Sequence, residues 1–198
     1  MTLPVKYLDS SIILSYQLGP TDRFYNDARR IIEDDIMKKK IIGLVSMLTL
    51  MEVIDVIRRR VTERTDKSKL DLLDTISQNL YLKGESDTKI KDLLQVLTQM
   101  EDQGLILFSD FTPVDLKQMM KDVYDYSKDY FGIAKKYYRC QICNGSFEHY
   151  TYKGLGWIDL VHAFLALGFF ADGLITADKS FAHLSSDPKF GSIEITVI

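Results

Sequence analysis

The chain has 198 residues, of which 46% are hydrophobic and 27% charged, so it can bury a core and does not have the composition of a disordered protein. Its 25 Lys and Arg residues against 28 Asp and Glu residues leave a net charge of -3, so affinity for nucleic acid must come from local basic patches. No apolar run approaches the roughly 18 to 20 residues of a membrane span, no signal segment follows Met1, and two cysteines are too few for a disulfide framework. We therefore expect a soluble cytoplasmic protein.

The first part of the chain alternates between strand and helix patterns. Short apolar runs predict buried strands, and apolar residues three or four positions apart predict helices. In chain order, these patterns predict a strand over residues 5–8, helices over 12–18 and 22–40, a strand over 41–45 and a helix that starts at 46 or 49 and extends through 57. Asp9 follows the first strand and Glu52 lies soon after the second, so both carboxylates come after a strand.

The middle of the chain predicts a helical hairpin at about 64–103 and an insertion at about 133–156, within one domain that spans residues 1–198. The hairpin consists of two amphipathic helices, about 67–82 and 88–103, separated by the turn signal Lys83-Gly84-Glu85. A strand over 105–108 and a helix from 112 through 126 follow. The proposed insertion has no periodicity, and we expect a long loop that is either functional or disordered.

The last part of the chain returns to alternation. It predicts a helix over 158–170, a strand over 173–176, a short helix over 179–184 and a strand over 193–197. Strands that alternate with helices along a whole chain favour an α/β sandwich with a mostly parallel central sheet.

Four acidic residues occupy positions where such a sheet collects its functional groups, at or soon after the carboxyl ends of strands. They are Asp9, Glu52, Asp159 and Asp178. Converging carboxylates repel one another unless a divalent cation neutralises them or some become protonated. Oxygen ligands favour Mg²⁺ or Mn²⁺, and phosphodiester hydrolysis by one or two such ions is the natural use of the site.

The segments that carry these acids resemble the motifs of the PIN-domain family, in the order of that family and over nearly the whole chain. They are VKYLDSS at 5–11, VSMLTLME at 45–52, IDLVHA at 158–163 and LITADKSF at 174–181. The resemblance, which extends to toxin ribonucleases of the VapC type, implies a three-layer α/β/α sandwich and RNA cleavage that depends on Mg²⁺ or Mn²⁺. Carried over by position, it makes the four acids both catalytic and metal-binding, with Thr176 as a supporting residue.

Each of these acids also has a plain structural alternative. Asp9 and Asp159 are suited to helix caps or first turns, Glu52 to a solvated helix face, and Asp178 to an ordinary turn. Two further residues are candidates for supporting roles. Asp55 either assists Glu52 or forms a salt bridge with Arg58 or Arg59. His162 either orients a carboxylate or contacts substrate, or it is a hydrogen-bonded histidine at the edge of the core.

Basic residues in two places are candidates for binding RNA phosphates, which the acidic centre itself repels. Arg58 and Arg59 lie on the helix that carries Glu52, and Lys135, Lys136 and Arg139 interleave with tyrosines suited to stacking on unpaired bases. A solvated helix end and an aromatic cluster are the alternatives. Cys140 and Cys143 resemble half of a zinc knuckle, with His149 as a third ligand, although free thiols are the favoured interpretation.

The functional hypothesis that follows is an endoribonuclease that activates water with Mg²⁺ or Mn²⁺. One setting is a toxin paired with an antitoxin protein, and another is RNA processing. A homodimer is compatible with both settings. The alternatives are a noncatalytic PIN-like module that binds RNA or protein, a DNA nuclease of related fold, and a phosphoacceptor receiver domain. The receiver fits poorly, because Glu52 and Asp159 have no role in it.

Overall fold

The computed structural model places a five-stranded, all-parallel sheet between helices, in a three-layer α/β/α sandwich. The structure describes the backbone of residues 2–63, 72–109, 115–130, 132–139, 146–153 and 155–198, and the side chains of residues 2–59, 84–109, 115–127 and 155–198. The strands are β1 Val5–Leu8, β2 Ile42–Ser46, β3 Ile106–Ser109, β4 Gly132–Arg139, β5 Ser146–Lys153, β6 Gly173–Thr176 and β7 Glu194–Val197. The helices are α1 Ser10–Leu18, α2 Tyr25–Arg29, α3 Met47–Glu63, α4 Leu72–Asp102, α5 Leu116–Tyr130 and α6 Trp157–Gly168. The predicted α/β fold is confirmed.

Strand β1 lies at the centre of the sheet, whose order is β3-β2-β1-β6-β7. The chain builds outward from β1 to β2 and β3 on one side, then returns to β6 and β7 on the other. The carboxyl end of β1 is therefore the point at which the strand order reverses. In open parallel sheets the crevice outside this switch point is where ligands bind.

Two apolar clusters cover the two faces of the sheet. One contains Leu8 with residues of α1, α3 and α4, and the other contains Tyr7 with residues of α5 and α6. Tyr7 and Leu8 separate in this way because successive side chains of a strand point to opposite faces. A sheet buried on both faces explains why its strands are nearly continuous apolar runs in the sequence.

The predicted helical hairpin is wrong: one helix, α4, runs from Leu72 to Asp102 without a turn at Gly84. Glycine in a helix costs only about 1 kcal/mol relative to alanine, and the helix formers around it outweigh that cost. Local contacts also span the position. The Thr88 hydroxyl donates to the Gly84 carbonyl at 2.9 Å, and Lys89 forms an ion pair with Glu85 at 2.9 Å.

Two other predicted segments differ from the structure. The expected loop at 133–156 contains an antiparallel hairpin of β4 and β5, with Lys136 opposite His149. The expected single helix over 22–40 is the short helix α2 followed by a π-helical segment, Arg30–Ile36. In the turn that follows this segment, Lys39 is a non-glycine residue at a φ of 55°. Among the helices that the structure describes, none is both long and apolar enough to cross a membrane.

Replacement of Gly173 by alanine is expected to destabilise the sheet. A Cβ atom at this position would lie 2.6 Å from the Glu194 carbonyl oxygen of β7 and 2.7 Å from Lys6 Nζ. Because the carbonyl belongs to a paired strand, it cannot move aside cheaply, and we expect a loss of about 1 to 3 kcal/mol in the free energy of unfolding. Urea denaturation measures the change.

Gly84→Ala is the matched control, since no atom lies within 4 Å of a Cβ built there. It is expected to stabilise the protein by about 0.5 to 1 kcal/mol through the helix preference of alanine. Equal effects of the two substitutions would contradict this account of the β6–β7 contact.

Candidate metal centre

Asp9 lies at the switch point, directly after β1 and before the first residue of α1. Its backbone N–H donates to the Ile175 carbonyl of β6 at 3.0 Å, which holds the residue against the neighbouring strand. Although Asp9 occupies the cap position of α1, its side chain makes no capping hydrogen bond. The carboxylate is thus available for something other than the helix.

The two oxygens of the buried Asp9 carboxylate, on a residue only 5% exposed, have different surroundings. Oδ2 accepts hydrogen bonds from the Ser11 hydroxyl at 2.6 Å and from the Thr176 hydroxyl at 2.8 Å. No side chain or backbone N–H within the described residues donates to Oδ1, which lies 3.9 Å from His162 Nε2. A buried carboxylate oxygen without a donor is costly, so this atom marks a place where a cation is favoured.

Glu52 and His162 meet next to that oxygen. Glu52 lies on α3, and its Oε2 is 2.6 Å from His162 Nε2, on a histidine of α6 that is fully buried. Burial acts to raise the pKa of Glu52, but hydrogen bonding and attraction from His162, together with a hydrogen bond from Ser10, hold that pKa below its ordinary value. Glu52 is therefore ionised at neutral pH.

A chain of buried hydroxyl groups supports His162 from behind. The Tyr7 hydroxyl is 2.7 Å from His162 Nδ1 and 2.7 Å from the Ser46 hydroxyl, and Thr49 lies beside both. The Thr49 hydroxyl in turn donates to the Leu8 carbonyl at 3.3 Å. Burial is the main reason why the pKa of Tyr7 lies above its usual range, so the phenol stays protonated.

Asp159 and Asp178 complete the acidic surroundings from two further segments of the chain. Asp159, in the first turn of α6, accepts a hydrogen bond from the Gly156 N–H at 2.8 Å. Burial first, and then the charges of Asp178 and Asp9, raise the pKa of Asp159 to about 6. Asp178 accepts a hydrogen bond from the Ser180 N–H at 2.8 Å, and its own N–H donates to the Thr176 hydroxyl. Thr176 therefore links Asp9 to Asp178.

The tightest group of ligand atoms in the described part of the chain comes from three residues rather than from the four acids. One atom each of Asp9, Glu52 and His162 lies within 4.8 Å of the other two. Asp159 and Asp178 are outside this tight group, although their charges and that of Asp9 act on one another. Within the group of Asp9, Glu52 and His162, the Asp9 oxygen without a donor and the negative charge of Glu52 suit a divalent cation.

Asp55 and the neighbouring arginines lie away from this group. Asp55 is exposed and forms an ion pair with Arg59 at 2.9 Å, as in the salt-bridge alternative. Arg58 is likewise exposed. This ion pair with Arg59 favours the salt-bridge alternative for Asp55 over a supporting role beside Glu52.

An open cleft of about 610 Å³ adjoins the acidic group. Its lining includes Ser11 and Asp178, together with Arg23, Phe24 and Lys179. The Arg23 guanidinium stacks over the Phe24 ring at 4.4 Å. The cleft thus combines two exposed cations and an aromatic ring with Asp178, one of the four candidate acids.

Several further predictions fall outside the residues that the structure describes. Cys140 and Cys143 lie there entirely, so the zinc alternative has no described geometry. Lys135, Lys136, Arg139 and His149 lie on β4 and β5, of which only the backbone is described.

Sequence reasoning missed the hydroxyl chain and the cations of the cleft. Tyr7 and Ser46 stand in strands where an apolar residue is the default, and this polar substitution was the available signal. Arg23 carried no signal, because it is one of many charged residues between helices. Lys179 directly follows Asp178, and its position beside a predicted site residue was the only indication.

A comparison of the chain with protein-family models and with curated proteins finds no match.

Proposed function

We propose that the protein is a metal-dependent endoribonuclease of the PIN-domain type that hydrolyses phosphodiester bonds at the carboxyl end of β1. The observation that carries this proposal is the buried Oδ1 of Asp9, which has no described donor and lies beside Glu52 and His162. The order of the four motifs along the chain supports the same assignment.

A Mg²⁺ or Mn²⁺ ion bound by Asp9 and Glu52, with Asp159 and Asp178 around it, would lower the pKa of an attacking water and stabilise charge on the phosphate. The protein's own residues prepare the site for that ion. Ser11 and Thr176 fix one oxygen of Asp9 so that the other faces Glu52, and His162 holds the Glu52 carboxylate in place. Burial first, and then repulsion from Asp178 and Asp9, raise the pKa of Asp159, and a bound cation would offset both by favouring the ionised carboxylate.

The cleft beside Asp178 offers a path for the substrate. An acidic centre repels the RNA backbone, so cations must hold the phosphates that flank the scissile bond. Arg23 and Lys179 line the cleft and are our candidates for this role, and neither forms an ion pair with any residue whose side chain the structure describes. The setting that we propose is cytoplasmic RNA cleavage, either in a toxin–antitoxin pair or in RNA processing.

Arg23→Ala and Lys179→Ala are each expected to weaken the binding of a single-stranded RNA about threefold to tenfold near physiological salt. Each substitution removes one phosphate contact, so the slope of log affinity against log salt should fall by about 0.7. Fluorescence anisotropy with EDTA present measures binding without cleavage. Lys89→Ala, which removes a partly exposed lysine paired with Glu85 on α4, is the control and should leave both quantities unchanged.

The function is tested by incubating end-labelled single-stranded RNA, and DNA of the same sequence, with Mn²⁺, Mg²⁺ or EDTA. We expect RNA cleavage only with a divalent ion. Because a metal-activated water replaces the 2′-hydroxyl as nucleophile, RNA products should carry no 2′,3′-cyclic phosphate. Cyclic ends, or cleavage that persists in EDTA, would contradict the mechanism. Binding without cleavage under all conditions would favour a noncatalytic module.

A further inference from the structure

We propose that His162 is a metal ligand, so that the centre is a mixed site of two carboxylates and one imidazole. This inference rests on the proposed metal-dependent function and deepens it. The acidic motifs predict an all-oxygen site, whereas the structure brings a ring nitrogen into the tightest group of ligand atoms.

The position of His162 Nε2 is the first argument. It lies 2.6 Å from Glu52 Oε2 and 3.9 Å from Asp9 Oδ1, on a side chain with no exposure to solvent. A single N–H on Nε2 can satisfy Glu52 at 2.6 Å, but the Asp9 oxygen is then left without a donor. A divalent cation shared by the three atoms satisfies both carboxylates, after Glu52 moves back from the nitrogen.

The hydroxyl chain behind His162 is the second argument, because a ligating Nε2 must have its ring proton on Nδ1. That N–H then needs an acceptor, as second-sphere partners of metal-bound histidines provide. The Tyr7 oxygen, 2.7 Å away, can accept it. The Tyr7 hydroxyl then donates to Ser46, Ser46 to Thr49, and Thr49 to the Leu8 carbonyl.

The same chain also runs in the opposite direction. When Nε2 carries the proton and donates to Glu52, the Tyr7 hydroxyl donates to Nδ1 and the Ser46 hydroxyl donates to Tyr7. Every hydroxyl has an acceptor in both arrangements, so the ring can change tautomer without stranding a buried proton. His162 is thus able to hold Glu52 before the ion arrives and to bind the ion afterwards.

A nitrogen ligand changes the preference among metal ions. Mg²⁺ strongly prefers oxygen ligands, whereas Mn²⁺ accepts imidazole more readily. A site of mixed oxygen and nitrogen ligands should therefore bind Mn²⁺ more tightly than Mg²⁺. We expect Mn²⁺ to bind at least tenfold more tightly than Mg²⁺. Replacement of His162 by glutamine should reduce this preference to about twofold or threefold.

The direct test uses pulsed electron paramagnetic resonance of Mn²⁺ bound to the full chain, with no activity readout. Coupling between Mn²⁺ and a ring nitrogen should appear, and its frequency should change when histidine alone is labelled with ¹⁵N. The chain has three histidines. The double variant His149→Gln/His183→Gln leaves His162 as the only one, so the buried residue need not be altered, and the coupling should persist.

The outcomes separate the two proposals. Tight Mn²⁺ binding without nitrogen coupling overturns the ligand role of His162 and leaves the metal-dependent function standing. Coupling that is lost in the double variant would assign the nitrogen to His149 or His183, and would also overturn the ligand role of His162. Failure of the wild type to bind Mn²⁺ at micromolar to millimolar concentrations overturns both. Persistent coupling in the double variant, and its loss in His162→Gln, support the assignment.

Discussion

Asp9→Asn is expected to reduce metal-dependent RNA cleavage about 10³-fold, which corresponds to about 4 kcal/mol of transition-state stabilisation. The amide retains an oxygen that can accept from Ser11 and Thr176, so the local hydrogen bonds survive. What is lost is the negative charge on the carboxylate that faces Glu52 and His162. Initial rates of cleavage at saturating Mn²⁺ measure the change.

Asp55→Asn is the matched control, because it makes the same chemical change three residues from Glu52. Asp55 is exposed and pairs with Arg59, and an exposed pair contributes at most about 1 kcal/mol to stability. We expect its cleavage rate to stay within about twofold of the wild type. Equal loss of activity in the two variants would show that the overall negative charge of the protein, rather than the cluster of Asp9, Glu52 and His162, determines the activity.

The stability of the metal-free protein is expected to depend on the ionisation of Asp159. Its pKa is raised to about 6, so its contribution to stability is fully present below its ordinary pKa of 3.8 and is lost as the pH rises through 6. Because Asp159 is partly exposed, solvent screening reduces the effect to about 1 kcal/mol. In EDTA, the free energy of unfolding of Asp159→Asn should therefore rise by about 1 kcal/mol relative to that of the wild type when the pH is raised from 4 to 7.5.

Mn²⁺ is expected to reverse this difference at pH 7.5. A ligand at a hundred times its dissociation constant stabilises the native state by about 2.7 kcal/mol, and the wild type should bind Mn²⁺ more tightly than the variant. Thermal melts in EDTA and in Mn²⁺ at both pH values measure the two effects. A variant that is less stable than the wild type in EDTA at pH 7.5 would contradict the repulsion that we infer around Asp159.

The fold was predictable because the inner strands of the parallel sheet, such as β2 and β6, are largely buried and therefore appear as apolar runs. Asp9 was predictable for the same reason, since it directly follows such a run. The continuity of α4 was not predictable. Gly84 between charged residues indicates a turn when the sequence is considered alone, although glycine costs a helix only about 1 kcal/mol. The β4–β5 hairpin was missed because the tyrosines of residues 132–153, which favour strands, were attributed to a loop.

The centre itself was predictable only in part. The charge of an acid at a strand end is a local signal, so the candidate acids could be named. The pairing of His162 with Tyr7 joins residues that are far apart in the chain, and only the packing of α6 against the sheet brings them together. No periodicity predicts such a contact, and this is why the sequence indicated an all-oxygen site.

If a divalent ion bound beside Asp9 and Glu52 drives RNA cleavage, reversible removal of that ion must switch the cleavage off and on again. Wild-type protein is treated with EDTA, assayed on single-stranded RNA, and assayed again after Mn²⁺ is added in excess. We predict that wild-type cleavage disappears in EDTA and returns with Mn²⁺, and that cleavage by Asp9→Asn stays about 10³-fold lower when Mn²⁺ is present. Cleavage that survives EDTA and persists at the wild-type rate in Asp9→Asn would contradict the account.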